Sequence, residues 1–288
     1  MAVKRRKRKP GSLSHGRPAT LKKPTPSLSA KATRTLIRSH HRLEKALTKA
    51  EKEGDAEAIA QIRKQISDQG GLESYQQASI TGQSTERGGD SSKVLLEWLE
   101  PHLKDARAAR KARKVTVLEV GALSIENAIS QSAHFEVTRI DLNSQHPQIK
   151  KQDFMERHIP TKDEDKFDVL SLSLVLNYVP DAGGRGKMLA RTTPFLRILP
   201  KPESQGLFPS LFLVLPAPCM TNSRYMNEEV LGDMMKSLGY ILQKRKLSSK
   251  LVYYLWVYEA TSPRPATVHF PKKEVNPGKT RNNFCITL

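Results

Sequence analysis

The sequence predicts an α/β fold: a Rossmann-like, seven-stranded, mostly parallel sheet with a terminal antiparallel hairpin, preceded by an N-terminal helical extension. Three observations carry this expectation. From Val115 onward, short apolar and β-branched runs alternate with segments of helical period. The run Phe167–Leu176 is apolar almost throughout, as a strand covered on both faces must be. The last two runs, Tyr240–Leu247 and Leu251–Tyr258, meet through Ser248-Ser249, too short a link for anything but an antiparallel pair.

Taken in order, residues 1–29 read as a disordered basic tail, with Lys4-Arg5-Arg6-Lys7-Arg8-Lys9, four prolines and several serines. Residues 30–92 form a helical extension and a glycine-rich loop. Leu36, Leu43, Leu47 and Ala50 keep helical spacing, and so do Ile59, Ile62 and Ile66 after a break at Gly54-Asp55. The polar face of that hairpin carries Arg34, Arg38, His40, His41 and Arg42, which suits either solvent or RNA. Arg87-Gly88-Gly89-Asp90-Ser91-Ser92-Lys93 leads into a helix capped at Asp90 or Ser91, a start that suits either an ordinary cap or an anion. Residues 93–260 make the main domain, with strands at Val115–Val120, Phe135–Ile140, Ile149–Lys151, Phe167–Leu176 and Leu211–Leu215 before the hairpin. Helices are expected over about 125–132, 186–198 and Asn227–Leu238, the last stopped by Gly239. Residues 261–288 return to proline-rich, basic sequence and read as a flexible C-terminal tail.

Charge points to a polyanionic partner. The net charge is +19, and residues 1–31 hold ten Lys or Arg and no acid, so a surplus of nine remains on the rest. A solvated protein with one basic tail is the plainer account. Cys219 and Cys285 are too few and too far apart for a zinc site or a disulfide framework, so no metal is expected. No run of about 18 apolar residues occurs, and the basic start is not followed by the apolar core of a secretory signal. A monomer off the membrane is expected.

In such a sheet ligands bind beyond the carboxyl ends of the strands. The first strand ends Glu119-Val120-Gly121, where glycine lets a ligand approach the backbone closely. The second ends in Asp141, twenty residues after Gly121, placed to accept both hydroxyls of a ribose. No G-x-G-x-x-G follows the first strand, so nothing is built for a pyrophosphate, and a nucleoside without phosphates fits better: S-adenosylmethionine. Asp153 and Phe154, after the third strand, are placed to receive the adenine, the acid at its amino group and the ring or its neighbours on its face. Gly121 or Asp141 alone would suit a plain strand-end turn; together with Glu119, the spacing and the seven-strand order they favour the cofactor. Beyond the fourth strand, Asn177 offers an amide for a base edge and Tyr178 a ring for stacking, unless Tyr178 merely packs its loop.

The stretches Tyr75–Ser79, Gly82-Gln83 to Lys93, Leu172–Pro180 with Arg185-Gly186-Lys187-Met188-Leu189, and Cys219–Tyr225 resemble the fungal 25S rRNA adenine-N1 methyltransferases over about residues 70–260. The resemblance implies a nucleolar enzyme that methylates N1 of an adenine in large-subunit rRNA, acting on rRNA or a pre-ribosomal particle. It also implies that Gly121 and Asp141 contact S-adenosylmethionine. The first loop departs from the wider superfamily, which usually shows two or three glycines there. That single glycine motivates the competing expectation of a ribosome-assembly factor that keeps the fold without the chemistry. Adenine N1 carries no proton, so direct attack on the methyl needs no general base, and positioning carries the catalysis. The target must be unpaired or flipped out, which gives the basic arm and the cluster Lys104, Arg107, Arg110, Lys111, Arg113 and Lys114 a use as RNA holders.

Overall fold

The structure is a computed structural model that describes residues 29–71, 73–74, 77–78, 89–103, 113–144, 146–198, 206–259 and 268–288. The basic hexamer, most of the glycine-rich loop and the cationic run 104–112 lie outside the described residues, so the expectations placed on them stand outside this description.

The helical extension is α1 (Ala30–Glu53) and α2 (Ala56–Asp68). Ser29 Oγ accepts from Ala32 N and Asp55 Oδ1 from Ala58 N, so each helix starts on a side-chain cap. Between them Gly54 takes φ +70°, a left-handed stop that a glycine reaches without strain. Of the expected apolar stripe, Leu43 and Ala50 are buried. The side chains of Arg34 and His41 lie outside the description.

The main domain carries strands β1 (Val115–Val120), β2 (Phe135–Asp141), β3 (Lys150–Lys151), β4 (Val169–Ser173), β5 (Ser210–Pro216), β6 (Tyr240–Leu247) and β7 (Leu251–Tyr258). Its helices are α3 (Ser92–Leu99), α4 (Ala128–Gln131), α5 (Ala182–Thr192), α6 (Pro218–Thr221) and α7 (Glu228–Ser237). The strands form one seven-stranded sheet in the order β3-β2-β1-β4-β5-β7-β6. β1 to β5 run parallel, while β7 is antiparallel to both β5 and β6. The order reverses between β1 and β4, and it is there that the carboxyl ends open a crevice.

Alternation along the central strands supplies two cores. Leu211, Leu213 and Leu215 of β5 and Val252, Tyr254 and Trp256 of β7 face one side, with α5 and α7. Phe212 and Val214 of β5, with Tyr253, Leu255 and Val257 of β7, face the other, with Leu95 and Leu99 of α3.

Three expectations change. The helices are sparse: α4 is a single turn, shorter than the expected 125–132, and short turns occupy both sides of β3. Pro147 and Pro160 interrupt those connections, and their polar, charged residues offer no apolar stripe to bury. The fourth strand is shorter than Phe167–Leu176, because Leu174 turns left-handed at φ 57° and ends it. The helix expected at 186–198 starts earlier, at Ala182, where Asp181 caps Gly184 N, and becomes a 3₁₀ turn at Pro194.

The flexibility expected of 261–288 does not describe residues 268–288. These form a strap packed on the domain, with Cys285 and Ile286 buried and Phe270, Phe284 and Leu288 against the first core. Asn282 bridges Ser223, Phe270 and Leu288 exchange backbone hydrogen bonds, and Thr287 N donates to Ala182 O. Composition suggested a tail, but its spaced apolar residues outweigh the prolines once a groove exists to take them.

Candidate cofactor and base-binding site

Gly121 N and Ala122 N both donate to Ile140 O, so the loop after β1 folds across the end of β2 and sets Gly121 beside Asp141. Gly121 holds φ +74°, and a Cβ there would lie 2.6 Å from Val175 Cγ2. The glycine thus serves two ends: it permits the turn, and it lets the loop after β4 come close. That second loop turns tightly, with Tyr178 N donating to Val175 O, and is pinned by the fully buried Leu176.

Asp141 Oδ1 accepts from Asn143 N at 2.8 Å. Partial burial pushes its carboxyl above the usual aspartate range, opposed by that hydrogen bond. Gln152 N donates to Asp141 O, which draws Asp153 toward the same edge; Asp153 Oδ1 accepts from Met155 N at 2.7 Å. Glu119 stands across from Arg139 on the paired strand. Its Oε1 accepts from Asn127 Nδ2 at 2.7 Å; its Oε2 lies 4.0 Å from Arg139 Nε and is buried with no hydrogen bond. Desolvation pushes this carboxyl up to about 7, against the Asn127 hydrogen bond and Arg139, while the nearby Asp90 carboxylate adds to the rise.

Asp90 is a residue that the sequence showed only as a cap candidate. Ser91 occupies the capping position of α3 but makes no side-chain cap. Asp90 instead spans two helix starts, its Oδ1 accepting from Ser92 N at 2.8 Å and its Oδ2 from Ala128 N at 2.5 Å. Ser91 Oγ meets Ser173 Oγ, at the end of β4, at 2.7 Å. The end of the glycine-rich segment is therefore part of the site, seated between β1 and β4.

Most of the expected site residues come together here: Glu119, Gly121, Asp141 and Asp153 around the β1–β2 edge, and Asn177 and Tyr178 on the β4 loop. Phe154 does not join them with its ring. That ring is 2% exposed and packs 5.1 Å from the Phe195 ring in the core, with Arg191 Nε donating to Phe154 O. Leu142 was overlooked. It follows Asp141 directly and is 65% exposed, an apolar side chain left open to solvent beside the end of β2. Its position after a strand-ending acid was the available signal. Asn177 Oδ1 is buried without a partner, the sort of acceptor that a ligand's N–H would satisfy.

These features suit a nucleoside. A tight glycine turn at the end of β1, an acid at the end of β2 and the orphaned Oε2 of Glu119 are features that fit S-adenosylmethionine. The sheet order with its antiparallel seventh strand, and the site at the carboxyl ends of β1 and β2, define the class I fold of S-adenosylmethionine-dependent methyltransferases.

Within that class, residues 60–286 match the family described as 25S rRNA (adenine(2142)-N(1))-methyltransferase, Bmt2, and the chain belongs to this family. The chain is 41% identical over 252 residues to the 25S rRNA adenine-N(1) methyltransferase of Schizosaccharomyces pombe, covering 87% of this chain and 89% of that protein. It is 42% identical over 232 residues to the 25S rRNA (adenine(2142)-N(1))-methyltransferase of Saccharomyces cerevisiae, covering 80% of this chain and 64% of that one. Among solved structures, the 16S rRNA methyltransferase RmtF with S-adenosyl-L-homocysteine aligns with 80% of this chain and 83% of its own. Its identity is 14% and its TM-score 0.36. TnmH aligns with 77% of this chain and 70% of its own, at 11% identity and a TM-score of 0.41. Similarity this remote carries no functional weight.

Proposed function

We propose that the protein transfers the methyl group of S-adenosylmethionine to N1 of an adenine in large-subunit (25S) rRNA. The observation that carries this reading is the family match over residues 60–286, which takes in the sheet, both site loops and all but the last two residues of the strap. S-adenosylmethionine supplies an electrophilic methyl group. The protein's residues bind and orient: Asp141 at the ribose, Gly121 at the close backbone approach, Glu119 and Asp153 at polar ends, and Leu142 on the adenine face.

Asn177 Oδ1 is a buried, unpartnered acceptor. It suits the exocyclic N6–H of a target adenine, and that hydrogen bond would hold the adjacent N1 lone pair toward the cofactor side. Tyr178, on the same turn, supplies a ring against the flipped base. N1 of neutral adenine bears no proton, so no residue need act as a base. The product base is cationic, which an aromatic face or a carboxylate tolerates. Work within the nucleolus on a pre-ribosomal particle, by a monomer, belongs to the same proposal; the Lys4–Lys9 hexamer supports the address.

The test is mass spectrometry of large-subunit rRNA from cells lacking the gene and complemented with the wild-type chain or Asp141→Ala. Wild type is expected to restore 1-methyladenosine and the variant not to. Restoration by both would refute the cofactor role of Asp141, and restoration by neither chain would refute the enzyme. Calorimetry with S-adenosylmethionine separates an assembly factor lacking chemistry, which would show no saturable heat.

A further inference from the structure

We propose that the C-terminal strap, residues 268–288, presents a basic surface with an aromatic neighbour that holds the RNA strand flanking the target base. This rests on the rRNA reading above. The strap sits at the carboxyl end of the sheet. Thr287 N binds Ala182 O at the start of α5, just after the Asn177–Pro180 turn. Asn282 N binds Asn222 O, and Arg224 N binds Asn282 O, just after α6 and β5. One buried guanidinium, Arg185, ties strap to site: it donates to Pro180 O at 3.1 Å and to Cys285 O at 2.5 Å, and lies 4.8 Å over the Phe284 ring. The strap is therefore fixed beside the base loop.

Its outer side is cationic. Residues 268–288 contain three lysines and one arginine against one acid, Glu274, which lies 3.9 Å from Arg224. Lys272, Lys273 and Lys279 are exposed. Lys272 Nζ stands 4.4 Å above the half-buried Tyr225 ring. Burial, and secondarily repulsion from the Arg185 guanidinium, lowers the pKa of Lys45 on α1. Phosphates of a single strand need spaced ammonium groups, and this surface offers them next to the turn that meets the base, with the Tyr225 ring seating the Lys272 ammonium. A protein partner would find few apolar side chains here, since Phe270, Phe284 and Ile286 are spent on the core.

The test is a fluorescence-anisotropy titration of the full chain against a labelled stem–loop of large-subunit rRNA containing the target adenine, at several salt concentrations. The triple variant Lys272→Glu, Lys273→Glu, Lys279→Glu is expected to bind about tenfold or more weakly, with the slope of log affinity against log salt reduced by about 2. Its S-adenosylmethionine affinity and thermal midpoint should match wild type; the corresponding Lys→Gln triple variant replaces it if charge reversal disturbs folding. Wild-type affinity and slope in the variants would overturn the inference. So would RNA binding left intact while co-sedimentation with pre-ribosomal particles is lost, which would make the surface a protein dock. A wild-type chain that binds the stem–loop but forms no 1-methyladenosine would instead sink the enzyme reading and leave the strap's contact standing.

Discussion

Gly121→Ala is the most demanding perturbation of the site, because two separable costs meet at one methyl group. The backbone holds φ +74°, where an L side chain costs about 1 kcal/mol over glycine. The added Cβ would also fall 2.6 Å from Val175 Cγ2, well inside contact distance. Val175 belongs to the turn that carries Asn177 and Tyr178, so relief comes by rotating Val175 or by lifting that turn. Overpacking of this kind costs about 1–3 kcal/mol. The total, about 2–4 kcal/mol, corresponds to a fall of very roughly 4–16 °C in the thermal midpoint for a domain of this size. Displacement of the cradle should weaken S-adenosylmethionine by about tenfold or more in calorimetry, tenfold being about 1.4 kcal/mol. Adding Val175→Ala should recover the steric part and leave the φ part. A Gly121→Ala protein with wild-type midpoint and wild-type cofactor affinity would refute the account of Gly121 as the hinge between the two loops.

Further outcomes follow from the same geometry. Glu119 holds its proton up to about 7 in the folded chain against 4.5 unperturbed, so between those values the folded state binds more protons and its stability falls as pH rises. The stabilisation is present below 4.5 and lost through about 7, on the order of 3 kcal/mol in all, and Glu119→Gln should flatten that slope in urea titrations from pH 4.5 to 8. Gly186→Ala should destabilise despite alanine's better helix propensity, because its Cβ would lie within bonding distance of the Thr287 carbonyl. Hydrogen exchange over 268–288 should then rise. Asp168 is fully buried, lies 3.1 Å from Arg197 and 3.2 Å from Arg113, and accepts from Thr116 N. Asp168→Ala should cost about 3–5 kcal/mol by denaturant titration. Cofactor affinity should hold while the chain stays folded, since this cluster is at the opposite end of β4 from the site.

The strands were readable because their signal is local. Alternation in β5 and β7 and the unbroken apolar run of β4 reflect which faces are covered, and the sheet covers them as expected. Gly121 and Asp141 were legible for a related reason: a tight turn and a strand-ending acid are short-range features. The errors share the opposite property. Whether Phe154 faces a ligand or the core depends on Phe195, far along the chain, and a sequence does not show which neighbour wins. Helix lengths were overestimated at 186–198, where Pro194 overrode periodicity, and at 125–132, where only Ala128–Gln131 is helical.

The sequence alone determined the class of fold, the end of the sheet that carries the candidate site, the kind of cofactor that suits it and the excess of positive charge. Each depends on residue type at short spacing. The tertiary structure decided what long-range packing controls. It brought Asp90 to the starts of two helices, set Val175 against Gly121, exposed Leu142 while burying Phe154, and laid 268–288 beside the loop after β4. Those contacts join residues tens to about a hundred positions apart, as Arg185 and Cys285 do, and only a closed core selects among them.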